Sequence, residues 1–196
     1  MTTTGSGDPR AAAAPDISDE AGAALVAYAG RVVVAAVRGG APPAPPPLPE
    51  LRELRGVFVS LHSRGQLRGC LGHINADLPL AAATAEMAAA VTREDHRFRP
   101  VRPSELDGMA VEVSVLSPFR PIAPDQVVVG RDGLMIRCGP RAGLLLPQVA
   151  TEHHMDRLEF LDALCRKAML PPDAWQDPQV HLLAFSARLF GSRIRT

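Results

Sequence analysis

Residues 56–72 read GVFVSLHSRGQLRGCLG, and this stretch organises the prediction of the fold. Residues 56–62 are apolar and rich in β-branched side chains, which predicts a strand. Residues 63–66 have the composition of a turn, and residues 67–71 return as the second arm of a hairpin. Because a hairpin pairs antiparallel neighbours, the stretch favours an antiparallel sheet.

Helix signals flank this hairpin on both sides. Residues 18–38 begin with Ser18 or Asp19 as a cap and end at two glycines. Their predicted buried stripe consists of Leu25, Tyr28 and Val32. Asp77, followed by Leu-Pro, predicts a second helix with Asp77 as its N-cap. Asp156 starts a third helix that runs to about residue 169.

The remaining strands are predicted from alternation and from apolar runs. Residues 109–116 alternate, with Glu112 and Ser114 on the face opposite the valines. Residues 127–129 and 134–136 are predicted to form a hairpin around the Gly-Arg-Asp-Gly turn at 130–133, and residues 180–190 one long final strand. This order of elements favours an α+β fold, a largely antiparallel sheet flanked by helices, over a Rossmann-like fold.

Composition narrows the class of protein. The 196 residues carry a formal net charge of zero, so bulk charge points neither toward nor away from nucleic acid. The three cysteines form no C-x-x-C pair, which fits a reducing compartment. Residues 1–15 lack an apolar signal segment, and the nearly uncharged residues 78–91 are too short to span a bilayer. We therefore expect a cytoplasmic protein with no membrane partner.

The predicted domain organisation is one folded domain with two tails. Residues 1–17 read as a disordered tail, residues 18–192 as the domain, and residues 193–196 as a short second tail. Within the domain, residues 39–49 are rich in proline and are predicted to form an extended strap. An alternative function for the strap is that of a ligand for SH3-type domains.

The first candidate site is the Arg68-Gly69-Cys70-Leu71-Gly72 segment. A cysteine near two glycines lies where a ligand can approach the backbone closely. Neighbouring positive charge favours the reactive thiolate, and Arg68 precedes Cys70 by two residues. The structural alternative is a tight bulge in a hairpin, with Cys70 as a small buried residue.

A proton acceptor for Cys70 is sought among nearby polar residues. His73 is the candidate base, and Glu112 or Ser114 on the neighbouring strand is the candidate to orient it. Cys70, His73 and Glu112 therefore form the predicted catalytic group.

Two further stretches carry polar groups. The first, residues 93–102, contains four arginines and a histidine around Phe98 and is a candidate nucleic-acid contact, the alternative being a solvated helix exit. The second, residues 145–154, contains Gln148, four residues before Glu152, and a His153-His154 pair. Adjacent histidines diverge on a helix and no carboxylate completes a ligand set, so no metal is expected.

Six blocks in order resemble the AMMECR family. They are Arg68-Gly69-Cys70 with its flanks, Arg97-Phe98, the strand from Glu112 to Leu116, Gly130-Arg131-Asp132-Gly133-Leu134, the segment from Leu145 to Ala150, and the segment from Phe160 to Trp175. The sequence departs from the family pattern at His96, where proline is usual, and at Met169, where glycine is usual.

The resemblance implies a larger lobe built from both chain ends and a smaller inserted lobe, with the Arg-Gly-Cys segment lining a functional site. It also implies a three-part modification system with Memo-like and radical SAM proteins as partners and nucleic-acid bases as a candidate substrate. The residues expected to bind substrate are Arg68, Gly69, Gly72, Arg97, Ser114 and Gln148. No cofactor is expected, and the oligomeric state stays open.

Three functions remain open on this basis. The first is a substrate- or partner-binding component that leaves the chemistry to the other proteins of the system. The second is a cysteine-dependent enzyme with Cys70 as nucleophile, and the third is a protein-interaction scaffold. The first is favoured, because no complete catalytic set is visible in the sequence.

Overall fold

The computed structural model describes residues 17–195, and most of the predicted N-terminal tail lies outside the described residues. The chain divides into two compact units. We call residues 17–118 with 187–195 the terminal unit, and residues 119–186 the inserted unit. A larger unit from both chain ends and a smaller inserted one, each with an antiparallel sheet and helices, confirm the predicted α+β class.

Residues 17–195 contain four α-helices and eight strands. In order they are α1 (Asp19–Arg38), β1 (Val57–Ser63), β2 (Gln66–His73), α2 (Leu80–Ala90), β3 (Met109–Leu116), β4 (Arg120–Pro121), β5 (Gly133–Cys138), β6 (Arg141–Leu145), α3 (Pro147–Glu152), α4 (Arg157–Lys167), β7 (His181–Phe185) and β8 (Ala187–Arg193). Short 3₁₀ turns join several of them.

The terminal unit packs α1 and α2 against one four-stranded antiparallel sheet. The strand order is β2-β1-β3-β8, so β2 is an edge strand. Residues directly opposite each other across antiparallel strands point to the same face. The helix-covered face carries the fully buried Val57, Val59 and Leu61 of β1, and Val111 and Val113 beside them on β3.

The other face of this sheet is more polar. On β1 it carries Phe58, Ser60 and His62, and the pairing places Cys70 opposite Ser60 and Gly72 opposite Phe58. Glu112 lies opposite Ser60 on the other side of β1. This second face, which we call the polar face, contains four of the nine predicted site residues: Cys70, Gly72, Glu112 and Ser114.

Helix α1 follows its sequence signals closely. The Ser18 side chain accepts a hydrogen bond from the Ala21 N–H, and Gly39 ends the helix with a left-handed φ of 71°. The predicted stripe is confirmed, because Leu25, Tyr28 and Val32 are all buried. By length and composition alone α1 could cross a membrane, but half of its most apolar window is buried inside the protein. It is the core helix of the terminal unit.

The inserted unit has its own sheet and core. Strands follow the order β4-β7-β5-β6, and the core joins Leu134 and Ile136 of β5 to Phe160 and Leu164 of α4. The predicted Asp156 cap is confirmed, since its side chain accepts a hydrogen bond from the Glu159 N–H at 2.9 Å.

Two predicted strands are wrong. Residues 127–129 form no strand, because the buried Asp132 carboxylate accepts the Val128 N–H at 2.9 Å and closes a turn there. The hairpin is instead β5–β6, with Gly139 at its turn. Residues 180–190 form two strands, β7 and β8, which pair in different sheets on either side of Ser186.

The start of α2 also differs from the prediction. Pro79 occupies the N-cap position, with no side-chain cap, and Asp77 is bound elsewhere. The Leu80 N–H donates to the Glu53 carbonyl at 2.8 Å, so a distant backbone group satisfies one free N–H of the helix start.

Candidate functional site

The backbone N–H and carbonyl of Cys70, on the outer edge of β2, are both hydrogen-bonded to side chains. Its N–H donates to the Asp95 carboxylate, N to Oδ2, at 2.8 Å, and its carbonyl accepts from Arg97 Nη2 at 3.2 Å. An edge strand leaves such groups unpaired, and here one ion pair satisfies both. The candidate loop is therefore part of a regular strand whose edge is covered by residues 95–97.

Asp95 is the charged centre of this arrangement. Its side chain is 6% exposed and also accepts hydrogen bonds from Arg97, at 2.9 Å from Nε and 2.7 Å from Nη2. The Arg97 side chain first, and the backbone N–H groups of Cys70 and Arg97 with it, hold the pKa of Asp95 well below its usual range despite the opposing effect of burial. Asp95 is therefore ionised at neutral pH.

Asp95 is not among the site residues that the sequence predicts. The available signal was that Asp95 precedes Arg97 by two residues, a spacing at which the acid and the arginine can pair. What the sequence did not show is that this acid also reaches the backbone of a residue 25 positions earlier.

Arg68 is committed to internal contacts, which corrects the expectation that it presents a free guanidinium to an anion. Its Nε donates to Glu105 Oε1 at 2.9 Å and its Nη2 to Oε2 at 3.3 Å, and Arg68 lowers the pKa of the Glu105 carboxyl. A β-bulge opposite the Leu61–His62 step leaves Arg68 out of the register with β1.

The Arg97 side chain remains exposed to solvent although it is ion-paired. Its side chain is 60% exposed although its guanidinium is fixed by Asp95. The guanidinium carbon lies 5.4 Å from the centre of the Phe98 ring, and that of Arg68 lies 6.0 Å from the same ring. Phe98 is therefore a half-buried ring between two arginines.

The two glycines of the motif accommodate the protein's own side chains. A Cβ on Gly72 would lie 2.2 Å from the Phe58 ring, and one on Gly69 would lie 3.0 Å from the Val91 side chain. This corrects the interpretation that the glycines clear space for a ligand. Gly69 instead lets β2 pack closely against Val91, beside the Asp95 carboxylate.

Cys70 is half-buried rather than sealed among aliphatic groups. On the polar face it lies opposite Ser60, and Ser60 lies opposite Glu112, so the three form a row across β2, β1 and β3. The structure therefore brings two of the three predicted catalytic residues, Cys70 and Glu112, to one face.

His73 does not belong to that row. It lies opposite Val57, and an odd separation of three residues places it on the helix-covered face of β2, away from Cys70. Its Nε2 pairs with Asp77 Oδ1 at 2.5 Å. The sequence interpretation of His73 as the base for Cys70, oriented by Glu112 or Ser114, is therefore wrong.

The other predicted residues are dispersed. Ser114 is 2% exposed and lies opposite Phe58 on the polar face, in the row next to Cys70. Gln148 lies in α3 of the inserted unit and is half-buried. Arg93 donates to the Ala36 carbonyl at 2.9 Å, which removes it from the predicted nucleic-acid patch.

Open space near the motif lies at its N-terminal end. Three depressions of about 480–540 Å³ lie in the terminal unit, and the one of about 540 Å³ borders the β1–β2 turn. Its lining includes Arg68, Glu105, Leu67, Arg64 and Ser104. Within residues 17–195 no cluster of three His, Cys, Asp or Glu side chains could hold a metal.

The chain is an α+β protein of two units. In its candidate site, the Asp95–Arg97 pair binds the backbone of Cys70 on the edge strand β2. Residues 26–190 match the family described as AMMECR1, and the chain belongs to this family. The match spans both units and includes the Arg-Gly-Cys segment and Asp95.

The chain is similar in sequence to archaeal proteins and in fold to a crystal structure of one such protein. A Thermococcus gammatolerans protein is 45% identical over 187 residues, covering 89% of this chain and 91% of the relative. A Methanothermobacter thermautotrophicus protein is 46% identical over 151 residues, covering 73% and 79%. The crystal structure of PH0010 from Pyrococcus horikoshii, described as an uncharacterized protein, superposes with a TM-score of 0.84 at 40% identity, covering 91% of this chain and 94% of that one.

Proposed function

We propose that this chain is the substrate- or partner-binding component of a three-part modification system with Memo-like and radical SAM proteins, and that it binds a single-stranded nucleic acid. The proposed contact surface is the Cys70 segment together with residues 97–102. The observation that carries the proposal is Arg97, a cation 60% exposed yet fixed by a buried carboxylate.

A fixed cation favours binding because little side-chain entropy is lost when an anion arrives. Arg99 and Arg102 extend the positive surface, since both are exposed. Phe98 offers part of an aromatic ring in the same segment. Phosphate contact by arginine with stacking on an aromatic ring is the usual mode of single-strand recognition.

The test is the affinity of the full chain for a fluorescent single-stranded RNA, measured by anisotropy across a salt series. The informative variant is Arg99→Ala/Arg102→Ala, because both side chains are exposed. We expect about tenfold weaker binding than the parent chain and a shallower salt slope.

The matched control is Arg38→Ala/Arg166→Ala, which removes two exposed arginines from the last turns of α1 and α4. It should change the affinity less than twofold. Equal weakening by both double variants, or an affinity that does not vary with salt, would reject the nucleic-acid proposal.

Membership of the system has its own test. A tagged chain, mixed with purified Memo-like and radical SAM proteins from the same organism, should elute with at least one of them in size-exclusion chromatography. Separate elution of all three, with and without RNA, would remove the system from the proposal and leave nucleic-acid binding standing.

A cysteine-dependent reaction is the second candidate, favoured by the Cys70, Ser60 and Glu112 row. In that case a Cys70→Ser variant should lose activity while keeping its RNA affinity. The binding proposal predicts that the same variant keeps both RNA affinity and function in the reconstituted system.

A further inference from the structure

The polar face carries a histidine that is not among the predicted site residues. His62 follows Ser60 by two residues on β1, so it shares the face of Cys70 and Glu112. Its Nε2 atom is buried and has no hydrogen-bond partner among residues 17–195. Burying a polar atom without a partner is unfavourable, and such an atom calls for an explanation.

The register puts His62 next to both groups of the row. Diagonal neighbours on paired strands have Cα atoms roughly 7–8 Å apart, a distance that long side chains bridge. Across β1–β2 the diagonal neighbour of His62 is Cys70, and across β1–β3 it is Glu112. The residue directly opposite His62 on β3 is Ala110.

We infer that His62 is the proton acceptor for the Cys70 thiol, and that Cys70, Ser60, His62 and Glu112 form a site for a small electrophilic ligand on the polar face. The inference rests on the proposed use of the Cys70 segment as a functional site. The Cys70 thiol transfers its proton to Nε2, and the thiolate forms a bond to the electrophilic carbon while the leaving group departs with its electron pair. Glu112 stabilises the imidazolium that results.

The charged groups around the thiol support this direction of proton transfer. From the covering segment, Arg97 contacts the Cys70 carbonyl, and its charge is already balanced by Asp95. From β3, Glu112 is the acidic residue on the same face as His62. The remaining neighbour on β1, Ser60, is uncharged, and His73 faces the other way.

The test is the rate at which iodoacetamide alkylates Cys70, followed by mass spectrometry of the Cys70 peptide from pH 5.5 to 8.5. In this reaction the S–C bond forms, iodide leaves, and the thiol proton passes to His62. At pH 6.5 the parent Cys70 should react faster than the half-exposed Cys138 of the same molecule.

His62→Gln should slow the Cys70 reaction at pH 6.5 about tenfold, whereas His73→Gln, the matched control, should leave it within twofold. The Cys138 rate reports whether each variant keeps its fold, and His62→Asn serves if His62→Gln does not fold. An unchanged rate in the His62 variants, or a parent Cys70 no faster than Cys138, overturns the inference. RNA affinity should be the same in His62→Gln and parent, so failure here leaves the proposed function untouched.

Discussion

The carboxylate of Asp95 accepts a hydrogen bond from the backbone N–H of Cys70, with 2.8 Å between Oδ2 and N. This contact joins the end of the α2 region to the edge of the sheet and determines where the motif cysteine lies. Because the same carboxylate binds Arg97, the position of Cys70 and the charge of the surface next to it depend on one buried group.

Replacing Asp95 should therefore be costly. Asp95→Asn removes the charge that pairs with Arg97 and leaves one fewer strong acceptor, so we expect the free energy of unfolding to fall by about 3 kcal/mol. Urea denaturation at pH 7 measures it. Asp125→Asn, at an exposed carboxylate, is the control and should cost less than about 0.5 kcal/mol in the same assay. A loss as small as the control's would show that the pair is energetically neutral.

The same group predicts a pH dependence. The pKa of Asp95 is lower in the folded chain than in the unfolded chain, where an aspartate carboxyl has a pKa of about 4. Its contribution is therefore complete above pH 5 and is lost as the pH falls below about 4 toward the folded value. Glu105, whose pKa is also lowered, acts in the same direction. The stability difference between the parent and Asp95→Asn should shrink between pH 6 and pH 3, and a constant difference would contradict the assignment.

Gly72 and Phe58 should be energetically coupled. Gly72→Ala places a Cβ at 2.2 Å from the ring, so Phe58 must move, and we expect a loss of about 1–3 kcal/mol. Phe58→Leu should reduce that loss, giving a coupling of about 1 kcal/mol in a double-mutant cycle. Additive effects would mean that the ring does not confine Gly72.

Met169 offers a stabilising substitution. It follows the C-cap of α4 with a left-handed φ of 56° and is 80% exposed, so its side chain adds strain and little burial. Met169→Gly should raise the free energy of unfolding by about 1 kcal/mol and the melting temperature by about 2–4 °C. Met169→Ala is the control: alanine also has a Cβ, so it should give no such gain.

The helices and strands that were predicted correctly have local sequence signals. Helices α1 and α4 have caps and a helical period, and β3 alternates strictly, so each is determined by residues within its own length. Residues 180–190 were predicted as one strand but form two, because an apolar run has the same pattern whether it belongs to one sheet or to two. Their division at Ser186 depends on partner strands distant in the sequence.

The candidate site shows the same contrast. The Arg-Gly-Cys motif was visible, but its base was sought by proximity, and His73 is three residues from Cys70 on the opposite face. His62 is eight residues from Cys70 along the chain and shares its face because β1 and β2 pair as they do. Proximity in sequence does not measure proximity in a sheet, where side chains alternate.

Composition, periodicity and motif order along the chain are enough to predict the α+β class, the caps of α1 and α4, the β1–β2 hairpin and the family. The groups around Cys70 follow from contacts between distant segments: Asp95 at its N–H, Ser60 and Glu112 in its row, and His62 on its diagonal. Those neighbours are set by strand register and by the contact of the buried Asp95 carboxylate with β2, and both arise between segments that are distant in the sequence.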